Sequence, residues 1–201
     1  MAEILSDFPD SEYEYEVKIK ENNVITNRID VLLTQNGKKY AVECQASSLS
    51  NEEVSERTVK LNRLGYPVLW VLSSKKFKNI DKARLLKEPE SFIYAIYFGR
   101  IYYLNTETRE IRPTHFERIK RITYWVQPPS SEGFYTDEPD DYEAYCDISS
   151  STRYLKKKRV PIIGTKIKDF KLFEAESRSL ATGKIYKIAR FYDKFLHVSS
   201  E

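Results

Sequence analysis

The sequence predicts an α/β protein whose central sheet is mixed and flanked by helices. Three observations along residues 27–72 support this class: two strand-like runs joined by a tight turn, a capped helical run, and a short apolar run. A hairpin pairs its strands antiparallel, whereas a strand reached through a helix pairs in parallel. The order hairpin, helix, strand therefore predicts both kinds of pairing in one sheet.

The two strand-like runs are residues 28–35 and 39–46, both rich in Val, Leu, Ile and Tyr. Between them, Asn36 and Gly37 form the dipeptide that a two-residue type I′ turn prefers. We therefore expect an antiparallel hairpin.

The helical run begins at Ser50, which forms a capping-box pattern with Glu53 three residues later. Apolar residues follow at helical spacing and Gly65 ends the run, which predicts a helix over residues 51–64. The next run, PVLWVL at residues 67–72, has the continuous apolar character of a parallel strand buried on both faces.

Two carboxylates are expected to meet on the hairpin. Alternation places Glu43 and Gln45 on one face of their strand, and a register centred on the Asn36-Gly37 turn pairs Asp30 with Glu43. Like charges set opposite each other destabilise a sheet unless something offsets their repulsion. A divalent cation such as Mg²⁺ would do so and would suit phosphodiester chemistry. The alternative is an edge hairpin whose polar face lies in water, and the bare pattern does not decide between the two.

Four segments resemble the PD-(D/E)XK nuclease superfamily and, more narrowly, the nuclease core of competence protein CoiA-like proteins: RIDVLL, VECQASSLS, SERT and LGYPVLWVL. The resemblance covers roughly residues 12–120. It implies a restriction-endonuclease-like core, Mg²⁺ or Mn²⁺ as cofactor, and hydrolysis of phosphodiester bonds in DNA, with a homodimer as a possible assembly. RNA or a cyclic oligonucleotide remains open as a substrate, because nothing in the sequence discriminates bases or sugar.

The resemblance also implies roles for individual residues. Asp30 and Glu43 match the carboxylates that bind the metal, and the backbone carbonyl of Cys44 is expected to add a ligand. Glu16 is a candidate for the family's earlier acidic residue. Gln45 stands where the superfamily most often has Lys, so it cannot supply the positive charge that lowers the pKa of an attacking water. We expect Gln45 to position the water or the phosphate instead.

Several cations are candidates for contact with the phosphates of nucleic acid, and for each the alternative is an ordinary surface charge. They are Arg28, Arg57, Lys75 and Lys76.

A second functional hypothesis is a catalytically inactive nuclease-fold module that binds nucleic acid or protein without cutting. Three features are compatible with this hypothesis: the missing Lys, the short segment before the first strand and an acidic stretch further along the chain.

The chain is predicted to divide into a nuclease-like core at residues 1–126, an acidic linker at 127–151 and a basic C-terminal extension at 152–201 that packs on the core. The linker contains Pro-Pro-Ser-Ser at residues 128–131 and has acidic but no basic residues. Within the core, we predict an aromatic strand at residues 92–98 and a short basic helix from residue 114 to 122.

Composition excludes several other classes. A chain of 201 residues with 41% hydrophobic content is long enough to bury a core, and its net charge of +3 is too small to argue for nucleic acid by itself. Two cysteines are too few for a disulfide framework, and two histidines leave little material for a His zinc site or a Ser-His-Asp triad. No apolar run approaches membrane-spanning length and no signal peptide is evident, so we expect a cytoplasmic protein with no membrane partner.

Overall fold

The computed structural model describes residues 10–21, 24–47, 49–75, 85–118, 159–168, 170–179 and 183–192. These residues form nine strands and two helices. In chain order the elements are β1 (Ser11–Glu21), β2 (Val24–Gln35), β3 (Lys38–Gln45), α1 (Asn51–Arg63), β4 (Val68–Ser73), α2 (Glu90–Ile96), β5 (Arg100–Asn105), β6 (Glu110–Arg118), β7 (Arg159–Ile163), β8 (Leu172–Arg178) and β9 (Ile185–Phe191).

All the strands belong to one mixed sheet. Its main path runs β1-β2-β3-β4-β5-β6-β7, with β9 branching from β4 and β8 pairing with β9. Strand β4 is parallel to β3, β5 and β9, whereas the remaining neighbours are antiparallel. The predicted α/β class with a mixed central sheet is confirmed.

The hairpin of β2 and β3 forms as expected. Asn36 and Gly37 have φ values of +52° and +74°, the left-handed conformation that a type I′ turn requires at both central positions. Backbone pairing runs from Gln35–Lys38 at the turn to Val31–Val42.

The capped helix and the apolar strand are also confirmed. The Ser50 hydroxyl accepts a hydrogen bond from the Glu53 N–H at 3.1 Å, and the Glu53 carboxylate accepts one from the Ser50 N–H at 2.7 Å. Helix α1 packs Val54 and Leu61 into the core. Every residue of β4 from Val68 to residue 72 is buried, as expected for a parallel strand covered on both faces.

Strand β4 lies at a branch of the sheet. It pairs with β9 at Val68 and with β5 over residues 71–73. Between these positions, the Tyr97 hydroxyl accepts a hydrogen bond from the Trp70 N–H at 2.8 Å and donates one to the Val68 carbonyl at 2.6 Å. The buried phenol thus satisfies the β4 backbone where the neighbouring strands separate.

Two predictions about the second half of the core are wrong. Residues 92–98 do not form a strand, because α2 runs over Glu90–Ile96 and buries Ile93 and Ile96 at helical spacing. The predicted helix from residue 114 is replaced, as far as residue 118, by β6, where pairing with β5 buries Thr114 and Phe116 on one face. Residues 119–122 lie outside the described part of the chain.

The C-terminal strands contact the hairpin directly. The Gln35 amide donates a hydrogen bond to the Phe170 carbonyl at 3.0 Å and accepts one from the Leu172 N–H at 2.9 Å. Residues 127–151 lie outside the described residues, so the division of the chain at 126 and 151 stays a prediction.

Both described helices are too short to cross a membrane: α1 has 13 residues and α2 has 7, and among the described residues no helix is long and apolar enough.

Candidate active site

The carboxylates of Asp30 and Glu43 come together where β2 and β3 stop pairing through their backbones. The last backbone pair is Val31–Val42. At the next position, Asp30 Oδ2 accepts a hydrogen bond from the Cys44 N–H at 2.9 Å. One oxygen of Asp30 is therefore fixed by the backbone of β3.

Strand β1, on the other side of β2, is irregular at the same level. It pairs with β2 at Tyr15–Val31 and Val17–Ile29, but Glu16 between them has φ +49° and is not paired with Asp30. A positive φ is uncommon for a residue with a side chain. Asp30 thus lies where backbone pairing is interrupted on the β1 side and has ended on the β3 side.

Glu43 is a fully buried carboxylate, with 0% of its surface exposed. Burial raises the pKa of Glu43 to about 8; the Arg57 charge opposes the increase and the Asp30 charge adds to it. Neither side-chain oxygen of Glu43 accepts a hydrogen bond of normal geometry from the described residues. A buried carboxylate in this state is costly to the fold, so its position requires an explanation.

Arg57 of α1 connects the two carboxylates. Its Nη2 lies 2.6 Å from Glu43 Oε2 and 3.8 Å from Asp30 Oδ1. The same nitrogen donates a hydrogen bond to the Arg28 carbonyl at 2.9 Å. Arg57 was predicted as a phosphate contact or a surface cation, whereas the structure places it against the carboxylates.

Gln45 lies two residues after Glu43, on the same face of β3, and is 7% exposed. Its amide nitrogen donates hydrogen bonds to the carbonyl of Ser47 at 2.5 Å and to the Ser47 hydroxyl at 2.8 Å. The described contacts of the Gln45 amide are thus with the end of its own strand.

Cys44 contributes to the site through its backbone. Burial raises the pKa of the Cys44 thiol, and the charges of Asp30 and Glu43 raise it further. The role of the Cys44 carbonyl as a metal ligand stays a prediction.

Glu16 and Arg28 form an exposed ion pair beside Asp30. Glu16 Oε1 lies 3.4 Å from Arg28 Nη1, with side chains 69% and 55% exposed. The role of Glu16 as a metal ligand stays a prediction, as does contact of Arg28 with phosphate. The backbone carbonyl of Arg28 belongs to the site, because it accepts the hydrogen bond from Arg57 Nη2.

The two predicted lysines follow β4 in the sequence. Lys75 forms an exposed ion pair with Glu107 at 3.2 Å, and Lys76 lies outside the described residues. Because β3 and β4 are parallel, their carboxyl ends lie at the same edge of the sheet. Gln45 ends β3 at this edge, and Lys75 comes just after the end of β4.

The chemistry of the donors fits a hard divalent cation. No cluster of three or more His, Cys, Asp and Glu side chains capable of holding a metal occurs within the described ranges. Mg²⁺ needs fewer, because it is bound through one or two carboxylates and keeps several waters. The buried Glu43 oxygens, which lack a normal hydrogen bond, provide the expected acceptor.

Sequence reasoning missed that Arg57 contacts Asp30 and Glu43. The available signal was its place on α1: Arg57 lies between exposed Glu56 and buried Thr58, at the margin of the packed face. A long cation at that margin is within reach of the sheet beneath.

The family model for the competence protein CoiA nuclease-like domain matches residues 11–125, more than half of the chain. No curated protein and no solved structure matches. The matched range contains β1 to β6, both helices, and the Asp30, Glu43 and Arg57 cluster. The chain belongs to the CoiA nuclease-like domain family, and residues 11–125 form its nuclease-like domain.

Proposed function

We propose that this protein is a metal-dependent nuclease that hydrolyses phosphodiester bonds in DNA, with Asp30 and Glu43 as the ligands of Mg²⁺ or Mn²⁺. The observation that carries the proposal is the fully buried Glu43 carboxylate beside Asp30. Such a pair is unfavourable for folding alone, so a functional role best accounts for it. When bound, the ion would polarise the scissile phosphate and lower the pKa of the attacking water.

The residues around the carboxylates have distinct roles in this proposal. The Cys44 N–H fixes Asp30 Oδ2 and so orients the carboxylate. The Cys44 carbonyl adds a ligand, and Glu16 is a further candidate ligand at the irregular position of β1. Gln45 positions the water or the phosphate from the end of β3.

Contact with the DNA backbone is assigned to the cations near this edge of the sheet. Arg28 lies beside Asp30, and Lys75 follows β4 at the same edge as Gln45. Lys76 is adjacent to Lys75 in the sequence. The exposed side chains of Arg28 and Lys75 suit phosphate contacts that do not read sequence.

A catalytically inactive module that binds nucleic acid is the second candidate. One observation favours it: the Gln45 amide donates both of its described bonds to Ser47. Calorimetry separates the candidates, because an inactive module would bind DNA in a salt-sensitive manner without binding metal at Asp30 and Glu43.

The central experiment compares Asp30→Asn and Glu43→Gln with wild type in a DNA cleavage assay containing Mg²⁺. Glu176→Gln, on the exposed face of β8, is the matched control because it removes an equal charge away from the site. We expect both site variants to lose cleavage while retaining the wild-type circular dichroism spectrum, and the control to cut normally. Cleavage at the wild-type rate by either site variant would refute the assignment.

Substrate class needs a separate panel. Single-stranded, duplex and branched DNA, RNA and a cyclic oligonucleotide would be compared at equal phosphate concentration. We expect the highest kcat/KM on DNA, and a preference for RNA or the cyclic substrate would correct that part of the proposal.

A further inference from the structure

The Arg57 guanidinium sits in an oxygen environment that resembles a cation site. Three oxygens from two strands surround the single nitrogen Nη2: Glu43 Oε2, the Arg28 carbonyl and Asp30 Oδ1, at 2.6, 2.9 and 3.8 Å. Carboxylate and backbone carbonyl oxygens are also what hard divalent cations bind. Arg57 and such an ion therefore compete for the same oxygens.

Both cations cannot occupy this position together. Mg²⁺ binds oxygen ligands at about 2.0–2.1 Å, and Nη2 already lies 2.6 Å from Glu43 Oε2. Like charges at such a separation repel strongly, above all beside a buried carboxylate. Metal binding through the same oxygens, Glu43 Oε2 and Asp30 Oδ1, thus requires the guanidinium to move.

The surroundings of Arg57 allow that movement. Its side chain is 29% exposed and borders a shallow surface cleft of about 270 Å³, lined also by Glu53, Glu56 and Lys60. The Arg57 Nε has no hydrogen-bond partner among the described residues. The helix itself is held elsewhere, since the next residue, Thr58, accepts a hydrogen bond from the Trp70 indole. The side chain can therefore swing while α1 stays in place.

We propose that Arg57 is a resident counter-ion that holds Asp30 and Glu43 together in the metal-free protein, leaves them when a divalent ion binds, and then contacts the substrate phosphate. This inference rests on the proposed metal-dependent nuclease function. Arg57 would supply the positive charge that neutral Gln45 lacks, and the planar fork of a guanidinium matches two phosphate oxygens at once.

The first test measures Mg²⁺ binding to the full chain by calorimetry, without DNA. Arg57→Gln should bind Mg²⁺ about tenfold more tightly than wild type, because a competing positive charge is gone. Arg63→Gln, an exposed arginine at the end of the same helix, is the matched control and should be unchanged. Asp30→Asn should lose binding.

The outcomes separate the two proposals. Unchanged or weaker Mg²⁺ binding by Arg57→Gln, with wild-type binding still dependent on Asp30, overturns the displacement of Arg57 and leaves the metal site standing. Wild-type Mg²⁺ binding that persists in Asp30→Asn overturns the metal site itself, and the displacement with it.

The second test is cleavage at saturating Mg²⁺. Arg57→Gln should lower kcat by about a hundredfold with a smaller change in KM, the usual cost of losing a charge that stabilises the reacting phosphate. Arg57→Lys should recover part of the loss, since it restores charge without the fork. Wild-type kcat in Arg57→Gln overturns the phosphate role.

A measurement on wild type keeps the inference testable if Arg57→Gln does not fold. The Nε–H signal of Arg57 in a proton–nitrogen correlation spectrum is assigned by its absence in Arg57→Lys. Adding Mg²⁺ should shift this signal and speed its exchange with water in wild type, with no effect in Asp30→Asn. A wild-type signal unchanged at saturating Mg²⁺ overturns the displacement.

Discussion

The indole Nε1–H of Trp70 donates a hydrogen bond to Thr58 Oγ1 at 2.9 Å, across the interface between the sheet and α1. Thr58 in turn donates to the Val54 carbonyl at 2.7 Å, and the Thr58 and Trp70 side chains are fully buried. The bond sets the rotation of α1 about its axis. Because Arg57 precedes Thr58, the same bond places the guanidinium over Asp30 and Glu43.

Thr58→Val should destabilise the fold by about 1–3 kcal/mol, since it leaves the buried Trp70 N–H without an acceptor while keeping the side-chain volume. Urea denaturation measures the difference. Thr58→Ser retains the hydroxyl and loses one methyl group, so its cost should be about 1 kcal/mol. Equal stability of Thr58→Val and wild type would show that the bond does not fix the helix.

The hairpin and α1 were predictable because their signals are local. The Asn36-Gly37 dipeptide dictates a turn with two left-handed residues, and the capping box of Ser50 and Glu53 marks the helix start. Neither signal depends on the rest of the fold.

Features that depend on distant contacts were not predictable. Residues 92–98 contain apolar residues at both strand-like and helix-like spacings, and burial of Ile93 and Ile96 in the core selected the helix. The position of Arg57 depends on the rotation of α1, which the Trp70–Thr58 bond determines across 12 residues of chain. The helical spacing of apolar residues indicates that Arg57 lies near the edge of the packed face of α1. It does not indicate which residues of the sheet that edge contacts.

Tyr97→Phe should be strongly destabilising. Its hydroxyl accepts a hydrogen bond from the Trp70 N–H and donates one to the Val68 carbonyl, and a buried N–H such as that of Trp70 costs about 1–3 kcal/mol when it is left unpaired. Hydrogen exchange of the Trp70 amide, together with urea denaturation, would detect the loss. An unprotected Trp70 amide already present in wild type would contradict the assigned bond.

Tyr97 also predicts a pH dependence of stability. Burial raises the pKa of Tyr97 well above its ordinary value of 10.0, so above that pH the unfolded chain loses a proton that the folded protein keeps. The contribution of Tyr97 to stability is therefore present below pH 10.0 and decreases as the pH rises further. One such proton changes the free energy of unfolding by at most about 1.4 kcal/mol per pH unit. Tyr97→Phe should flatten this alkaline slope, and an identical slope in both proteins would refute the prediction.

Gln35→Ala tests how firmly the C-terminal strands are attached. The Gln35 amide is buried and bonds both the Phe170 carbonyl and the Leu172 N–H, so its removal should cost about 2–4 kcal/mol. Hydrogen exchange should speed up first in β8 and β9, with less change in α1. Thr34→Ala, one residue earlier and only partly buried, serves as the control. Uniform acceleration through the whole sheet would mean that β8 and β9 do not open separately.

Glu43→Gln should stabilise the metal-free protein while removing its response to metal. The raised pKa of Glu43 reflects the cost of burying its charge, and an amide of similar shape avoids that cost, while the partly exposed Arg57 remains accessible to water. We expect an increase of about 1–2 kcal/mol, or roughly 3–6 °C in Tm. Saturating Mg²⁺ should raise the Tm of wild type, because the ion binds only the folded state, and should leave that of Glu43→Gln unchanged. A lower Tm for Glu43→Gln, with an undiminished shift on adding Mg²⁺, would indicate that Glu43 serves the fold and that the ion binds elsewhere.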